Sequence, residues 1–438
     1  MWTVAKVCSK EILDVYVASC TETGGIYHYK LCEKKLQLAD VTPMDRPMYM
    51  VMEDRKMYVI LRAPYENGES GVVVYDIDDA GKLVNPSPMQ STKGTVACHI
   101  LAEGENVYCA NYISGSVIKL PGQVMQHNGS GPHPTRQEGP HMHFVGLTPD
   151  GKYIFAADLG TDTVYLYDRD LELRGSAKVP AGHGVRHIAF SQDGKWMFTA
   201  NELKSTVSAF AYENGTLELV DTCSAVPDDF TGETAAAAIR VKDGDIYVSH
   251  RGHDSVARLS FDGSRLTLQD TVPCGGKTPR DFCFVGNDIL CANQDSDSVT
   301  LLDGSSGYAI ADTVNVKMPI CVCVGRDLEI TQYDGPGYRA LIDCNGWRVA
   351  IANYAPALEL ERLDFLERHL ETDEVFALIE GTAGLLIGKD RRKVMLEKGK
   401  LYNVKRGVWH RLFMTGGAKV LIVENTDTGR HNTEYLKF

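Results

Sequence analysis

Along residues 184–210, GVRHIAFSQDGKWMFTANELKSTVSAF, apolar and polar side chains alternate, stop at an Asp-Gly turn and alternate again. This is the pattern of two half-buried antiparallel strands joined tightly. Charges stand at the strand ends: Arg186 and His187 open the first strand and Glu202 closes the second. The pattern recurs. CANYISGSV, AADLGTDTV, TANELKSTV, VSHRGHDSV and CANQDSDSV each carry a polar residue (Asn111, Asp158, Asn201, His250, Asn293) followed five positions later by Ser or Thr and then Val, at steps of 47, 43, 49 and 43 residues. Such a period, filled with short strands and Gly/Asp turns, predicts a β-propeller of four-stranded blades. Looser copies, VASCTETGGIYHY near residue 20 and VILRAPYENGESGVVVY near residue 65, bring the number of units to seven within about 325 residues. MPICVCV at 318–324 reads as an opening strand with no blade after it, which predicts that it closes the ring by completing the first blade.

Blade equivalence gives the polar residues an address. Inner strands are predicted at CHILA (98–102), MHFVG (142–146), RHIAF (186–190), AAIRV (237–241) and RDFCF (280–284). The aligned opening pairs are Cys98–His99, Met142–His143, Arg186–His187, Ala237–Ala238 and Arg280–Asp281, and the residues after the polar markers are Tyr112, Leu159, Glu202, Arg251 and Gln294. These positions vary from blade to blade yet stay largely polar, as expected of a site around the ring axis to which each blade contributes one group.

The segments PHMHFVGLTPDGKYIFAADLG, VRHIAFSQDGKWMFTANE, SHRGHDSV, GGKTPRDF and CANQDSDSV, in that order, resemble the lactonase family of seven-bladed propellers over roughly residues 10–325. The resemblance implies hydrolysis of a small anionic sugar lactone, most directly 6-phosphogluconolactone to 6-phosphogluconate, without a cofactor, at an axial site containing His143, Arg186, Glu202 and Arg251. Lactonization of the carboxymuconate type and a non-catalytic binding or scaffold propeller are the alternatives. Opening a lactone needs a base near neutral pKa, donors for the oxyanion and cations for the anionic substituent. His143 suits the base or acid, Glu202 would orient it or activate water, and Arg186 and Arg251 would clamp the anion. The competing reading is that Glu202 and Arg251 form an ion pair that only ties adjacent blades. Further substrate contacts are expected from His99, His141, His187, Arg280 and Gln294, although His187 also reads as a core histidine. Residues 121–140 read as a long loop, expected to form a flap over the cleft with Arg136 or Gln137 reaching the ligand.

From about residue 327 the marker vanishes. DEVFALIEGTAGLLIG, KLYNVKRGVWHRLFM and AKVLIVEN read as strands broken by Gly turns, and they resemble the two motifs of the cupin family of double-sheet β-barrels. Glu374 with Gly381, and Gly399 with Gly407 and His410, carry the resemblance. In register with Glu374 the motif's paired histidines would fall at Arg368 and Leu370, beside His369, and Lys405 stands at the motif's proline. The expected fold is therefore all-β: a seven-bladed propeller over 1–325 and a cupin-like β-barrel over 326–438. The barrel is expected to hold a divalent metal through His369, Glu374 and His410, to bind a small molecule without metal, or to mediate a homodimer.

Composition narrows the partners. A chain of 438 residues with 44% hydrophobic and 24% charged residues exceeds one ordinary domain. Its formal charge of −13 opposes nucleic acid and anionic membrane, so an anionic ligand must meet a local cluster of Arg and His. The N-terminal segment MWTVAKVCSKEILDVYV has no apolar run long enough for a signal sequence or a membrane span. The twelve cysteines are scattered singly apart from Cys321-Val-Cys323. They read as small buried hydrophobes in a reducing, cytoplasmic compartment.

Overall fold

A computed structural model describes residues 12–325, 333, 335–344, 346–426, 428–429 and 432–438. The chain separates into two compact units, Met1–Arg326 and Asp327–Phe438. The expected boundary residue, 326, and most of the opening segment inspected for a leader lie outside the described residues. No helix of the described residues is long and apolar enough to cross a membrane.

The first unit is a ring of seven antiparallel sheets. In blades three to seven the strands follow chain order from axis to rim; the fifth, for example, runs Val185–Phe190, Trp196–Asn201, Thr206–Glu213, Thr216–Ser224. The first blade takes its inner strand from the far end of the unit: Pro319–Gly325 pairs with Leu13–Ser19, ahead of Gly25–Cys32 and Lys35–Pro43. The seven inner strands touch one another right round the ring, Pro319–Gly325 meeting both Pro279–Val285 and Pro47–Glu53. Blade two has a split rim, where Glu69–Ile77 pairs both Leu83–Val84 and Gln90–Thr95.

Seven hydrophobic clusters fill the seven gaps between neighbouring blades. Phe198, Val207, Ile239 and Val248 join blades five and six, and Val15, Val17, Leu290 and Leu301 join blades seven and one. A middle strand is therefore covered on both faces. Ile154–Asp158 is buried at every position, so these strands read as continuous apolar runs, and the strict alternation of half-buried strands gives way there. The polar markers are buried in the turn that follows. Asn111 Nδ2 donates to Ser116 Oγ (3.1 Å) and Asn201 Nδ2 to Thr206 Oγ1 (3.1 Å), which explains the Ser or Thr five residues on. Asp158 instead accepts the His141 and Gly160 amides at 2.7 and 2.9 Å.

The second unit packs two five-stranded antiparallel sheets. One contains Trp347–Asn353, Glu374–Glu380 and Lys419–Asn425, the other Phe365–His369, Ala383–Ile387 and His410–Met414. Phe376, Val420 and Ile422 of the first meet Leu385, Leu412 and Met414 of the second in one apolar core.

Deleting Pro319–Gly325 removes the inner strand of blade one and exposes the edge of Leu13–Ser19. A chain ending at residue 325 is expected to unfold cooperatively, whereas one ending at residue 317 is expected to aggregate or melt at least several degrees lower. Size-exclusion chromatography with thermal unfolding checks this, and equal behaviour of the two chains would refute the closure's importance.

Candidate functional site

Every inner strand opens with a β-bulge, and the bulge decides which side chain faces the axis. In blade five Val185 pairs with Asn201 and His187 with Ala200, leaving Arg186 as the extra residue. The same shift leaves His143 extra in blade four, Arg280 in blade seven, Cys98 in blade three, Met48 in blade two and Ile320 in blade one, while blade six places Ala237 and Ala238 there. A bulge turns its extra side chain away from the regular pleat. Six of these residues, all but the alanines, line one small axial cavity together with Tyr49 and His187. This corrects the sequence alignment in blade four by one position: His143 is the counterpart of Arg186, and Phe144 that of His187.

A second ring sits at the end of each middle strand, on the residue after it in six blades and on its last residue in blade six. Its members are Cys20, Arg62, Tyr112, Leu159, Glu202, Arg251 and Gln294. Their equivalence is visible in the backbone, since Cys20, Arg62, Tyr112, Leu159, Glu202 and Gln294 each donate their amide to a carbonyl shortly before the inner strand. Here three cations converge on one carboxylate. Arg186 Nε lies 3.0 Å from Glu202 Oε2, Arg251 Nη2 lies 2.9 Å from the same oxygen, and Arg136 Nη2 reaches Oε1. Arg251 Nη2 also donates to the Ala236 carbonyl (3.0 Å), and Arg136 Nη2 to the Tyr112 hydroxyl (3.2 Å).

The charges at this site do not balance. Arg136, Arg186 and Arg251 share Glu202 as their anion, and Arg280 lines the same cavity without a carboxylate partner among the described residues. Burial alone would push the Glu202 carboxyl up, but Arg251, Arg186, His143 and Arg136 outweigh it and hold the pKa well below the usual carboxylate range. Burial and the neighbouring Arg251 lower Arg186 to about 9 against the pull of Glu202. Arg186 Nη1 is buried with no hydrogen-bond partner among the described residues, as is His143 Nδ1. Burial, reinforced by Arg186, holds His143 well below 6.5, so its imidazole is neutral at physiological pH. These features give the cavity the donors an anion would need: an unpartnered guanidinium nitrogen and a neutral imidazole beside a carboxylate already committed to three arginines. That commitment removes Glu202 as an activator of water, because a carboxylate of such low basicity is a poor general base. Glu202 makes no hydrogen bond to His143 among the described residues, so it acts on the imidazole only through its charge.

The remaining expected contacts divide. Arg280 lines the cavity, and its Nη1 donates to Gln294 Oε1 at 3.3 Å. His141 stacks on Tyr112 with ring centres 4.5 Å apart. His99 and His187 pack beneath the bulge ring with Tyr49 and Phe144, His99 lying 3.9 Å from Phe144 and 5.3 Å from His187. His99 is thereby a packing residue of the layer below, whereas His187 still touches the cavity from beneath. The 121–140 segment is partly strand: Gln123–Gln126 is the rim of blade three. The rest is a fixed arm, since buried Gln137 donates to Leu159 O and Asp162 Oδ1 (both 2.8 Å) and accepts the His133 amide (3.1 Å). Gln137 therefore anchors the arm that delivers Arg136, and its amide is not free for a ligand. Sequence reasoning placed Tyr112 in the axial ring but missed Arg62, which follows from counting one residue past the middle strand of blade two.

In the second unit His369 Nε2 and His410 Nε2 approach the same oxygen of Glu374, at 3.1 and 2.8 Å. His410 Nδ1 also donates to Val408 O (3.0 Å), so both ring nitrogens face acceptors. Burial opposes the charged ring, but Glu374 overcomes it and raises His410 above 6.5, while the two histidines hold buried Glu374 at about 2. The three ligand atoms lie within 4.8 Å of one another, beside a cavity of about 460 Å³ lined by His369 and Glu374 among others. Two imidazoles and a carboxylate with one side open suit a zinc-like or other divalent first-row ion. The set that looked broken by register converges because the fold, and not the local spacing, brings His369 to Glu374.

Residues 14–325 match the family profile described as lactonase, 7-bladed beta-propeller. The 6-phosphogluconolactonase of Bacillus subtilis is 32% identical over 339 residues, an alignment that covers 70% of this chain and 97% of that protein. Among solved structures, the periplasmic gluconolactonase of Pseudomonas aeruginosa superposes with a TM-score of 0.66 at 27% identity, over 72% of this chain and 99% of that one. A Lactobacillus plantarum protein gives the same TM-score and identity over 72% of this chain and 100% of its own.

Replacing Glu202 by Gln would leave Arg186 and Arg251 without their counter-charge inside the ring. A stability loss of about 3–5 kcal/mol is expected, the usual cost of orphaning buried charge. Urea unfolding of the variant checks it, and a loss below about 1 kcal/mol would show that solvent already screens the cluster.

Proposed function

The chain belongs to the seven-bladed β-propeller lactonase family, and from that premise we propose that it opens 6-phosphogluconolactone to 6-phosphogluconate at the axis of its first unit. Family membership makes it a lactone-hydrolysing enzyme; the phosphorylated sugar is the finer part of the reading. The observation that carries it is the charge imbalance: more guanidinium groups than carboxylates around one cavity, with Arg186 Nη1 unpartnered and a neutral His143 beside it.

His143 takes a proton from water as the oxygen attacks the lactone carbonyl. Arg186 Nη1 donates to the oxyanion that forms, and the C–O bond to the ring oxygen breaks as the imidazolium returns the proton to the leaving alkoxide. Glu202 keeps the guanidinium groups of Arg186, Arg251 and Arg136 in place and stabilises the imidazolium electrostatically; it is a positioning residue. The substrate brings negative charge towards His143, which raises its basicity from the depressed value of the free enzyme.

Two outcomes are expected. His143→Gln should lower turnover about a hundredfold or more, measured on the phosphorylated lactone after correction for spontaneous opening. In the parent enzyme kcat/KM should stay level from pH 8 down to 6.5 and fall only at lower pH, as the buried imidazole finally takes up a proton. A parent chain that hydrolyses no lactone would refute the reading.

The second unit we assign to divalent-metal binding in a cupin-like barrel through His369, Glu374 and His410. A bound ion would supply Lewis acidity at the cavity beside them. Because His410 is raised above 6.5 and must lose its proton to ligate, metal affinity should increase with pH through neutrality. Zinc or manganese should raise the melting temperature of the parent chain and leave that of His410→Ala unchanged; equal shifts in both would exclude the triad.

A further inference from the structure

The three arginines on Glu202 occupy one side of the axial mouth, contributed by blades five and six and by the arm before blade four. The next sector round the ring is built by blades seven, one and two, and it carries Arg280 on the bulge ring and Arg62 on the outer ring. Between them, blade one presents only Cys20 and Ile320, and Cys20 Sγ rests 3.5 Å from Met48 Sδ of blade two. This sector therefore has two cations flanking a wall of small apolar and sulphur-bearing side chains. Among the described residues neither cation has an ion-pair partner. The Arg280 side chain donates to the neutral Gln294 amide, and Arg62 is exposed. Arg46, just before blade two, is by contrast held by Asp45 at 2.8 Å. Both free arginines act on the same sulphur: burial pushes the Cys20 thiol up, and Arg62 and Arg280 pull it down.

An arginine left without a carboxylate at a cleft mouth, in a chain of net charge −13, repels its like-charged neighbour unless an anion intervenes. Burial, and after it Arg251, already lower Arg280. A carboxylate or a lactone oxygen finds its donors at the Glu202 side. A second, doubly charged group on the same ligand finds two guanidinium groups without ion-pair partners in the adjoining sector.

We propose that Arg280 and Arg62 form the receptor for a phosphate monoester on the substrate, separate from the Glu202 cluster that handles the lactone. The assignment rests on the lactonase reading for its substrate and adds to it the residues that distinguish a phosphorylated sugar from a plain one. Arg62 supplies an exposed charge that meets the phosphate on entry, and Arg280 a buried one that fixes it beside the cavity; both donate to phosphate oxygens. No bond is made or broken here.

The test measures binding of the acid products, 6-phosphogluconate and gluconate, to the full chain by calorimetry, alongside hydrolysis of the corresponding lactones. The parent chain should prefer the phosphorylated acid by at least tenfold. Arg62→Ala, at an exposed position that leaves the fold intact, should cut that preference several-fold, and Arg280→Ala should abolish it. Arg62→Lys should restore part of it. A parent chain without preference, or a preference unchanged in Arg62→Ala and Arg280→Ala, overturns the receptor. Failure of the lactonase reading looks different: no lactone is hydrolysed, yet the phosphorylated acid still binds tighter and loses that advantage in Arg62→Ala. Lactone hydrolysis indifferent to phosphate has the converse meaning, leaving the lactonase and removing the receptor.

Discussion

A ring of sheets can present side chains to its axis only while no inner strand is free to leave, and here that condition is met by pairing the two ends of the first unit. Pro319–Gly325 lies beside Leu13–Ser19, so blade one cannot form until the chain has passed through the other six. Every interblade core depends on that pairing, because each cluster is shared between two neighbours, and the gap between blades seven and one needs Val15 and Val17 held against Leu290 and Leu301. Closure also supplies Ile320 to the cavity. Stability and site are thus consequences of one long-range contact, with the loop-closure entropy such a contact carries.

Within the ring, the bulge at the head of each inner strand converts a uniform repeat into a site of mixed chemistry. The regular pleat sends alternate residues into the two interblade cores, where a charge would be costly. The extra residues Arg186, Arg280 and His143 belong to none of the interblade clusters, so they can be ionisable without disturbing packing, whereas Met48 and Ile320 at the same position join one. Glu202 then sets the electrostatics. Taken alone it would be unfavourable at such burial, and its three arginines would be unfavourable without it. Together they form a preorganised cationic surface that costs no rearrangement when an anion arrives.

The repeat was legible in the sequence because it is written in backbone requirements. A buried Asn or Asp ends the middle strand in blades three, four, five and seven, and Gly and Asp residues mark the hairpins, so the blades could be counted from residues such as Asn201 and Thr206. The family resemblance placed Arg186, Glu202 and Arg251 together. The displacement of His143 relative to His187 was hidden, since a bulge changes pairing by one residue without changing the apolar pattern. The role of Gln137 was hidden for another reason: its partners Leu159 and Asp162 come from a different blade turn. In the second unit, local spacing suggested a broken ligand set, whereas His369 and Glu374 sit on different sheets and meet through tertiary packing.

The two sites solve one problem in opposite ways. Each centres on a buried carboxylate that burial alone would protonate. In the first unit, arginines hold Glu202 ionised, and because guanidinium groups keep their protons across the physiological range, the anion-accepting surface persists there as well. In the second unit the stabilising groups are imidazoles, and His410 is raised above 6.5 by the carboxylate it supports. Unlike a guanidinium, the His410 ring can give up its proton to solvent as pH rises. The choice of arginine or histidine as partner therefore decides whether a buried glutamate sits among permanent charges or among charges that a proton can remove.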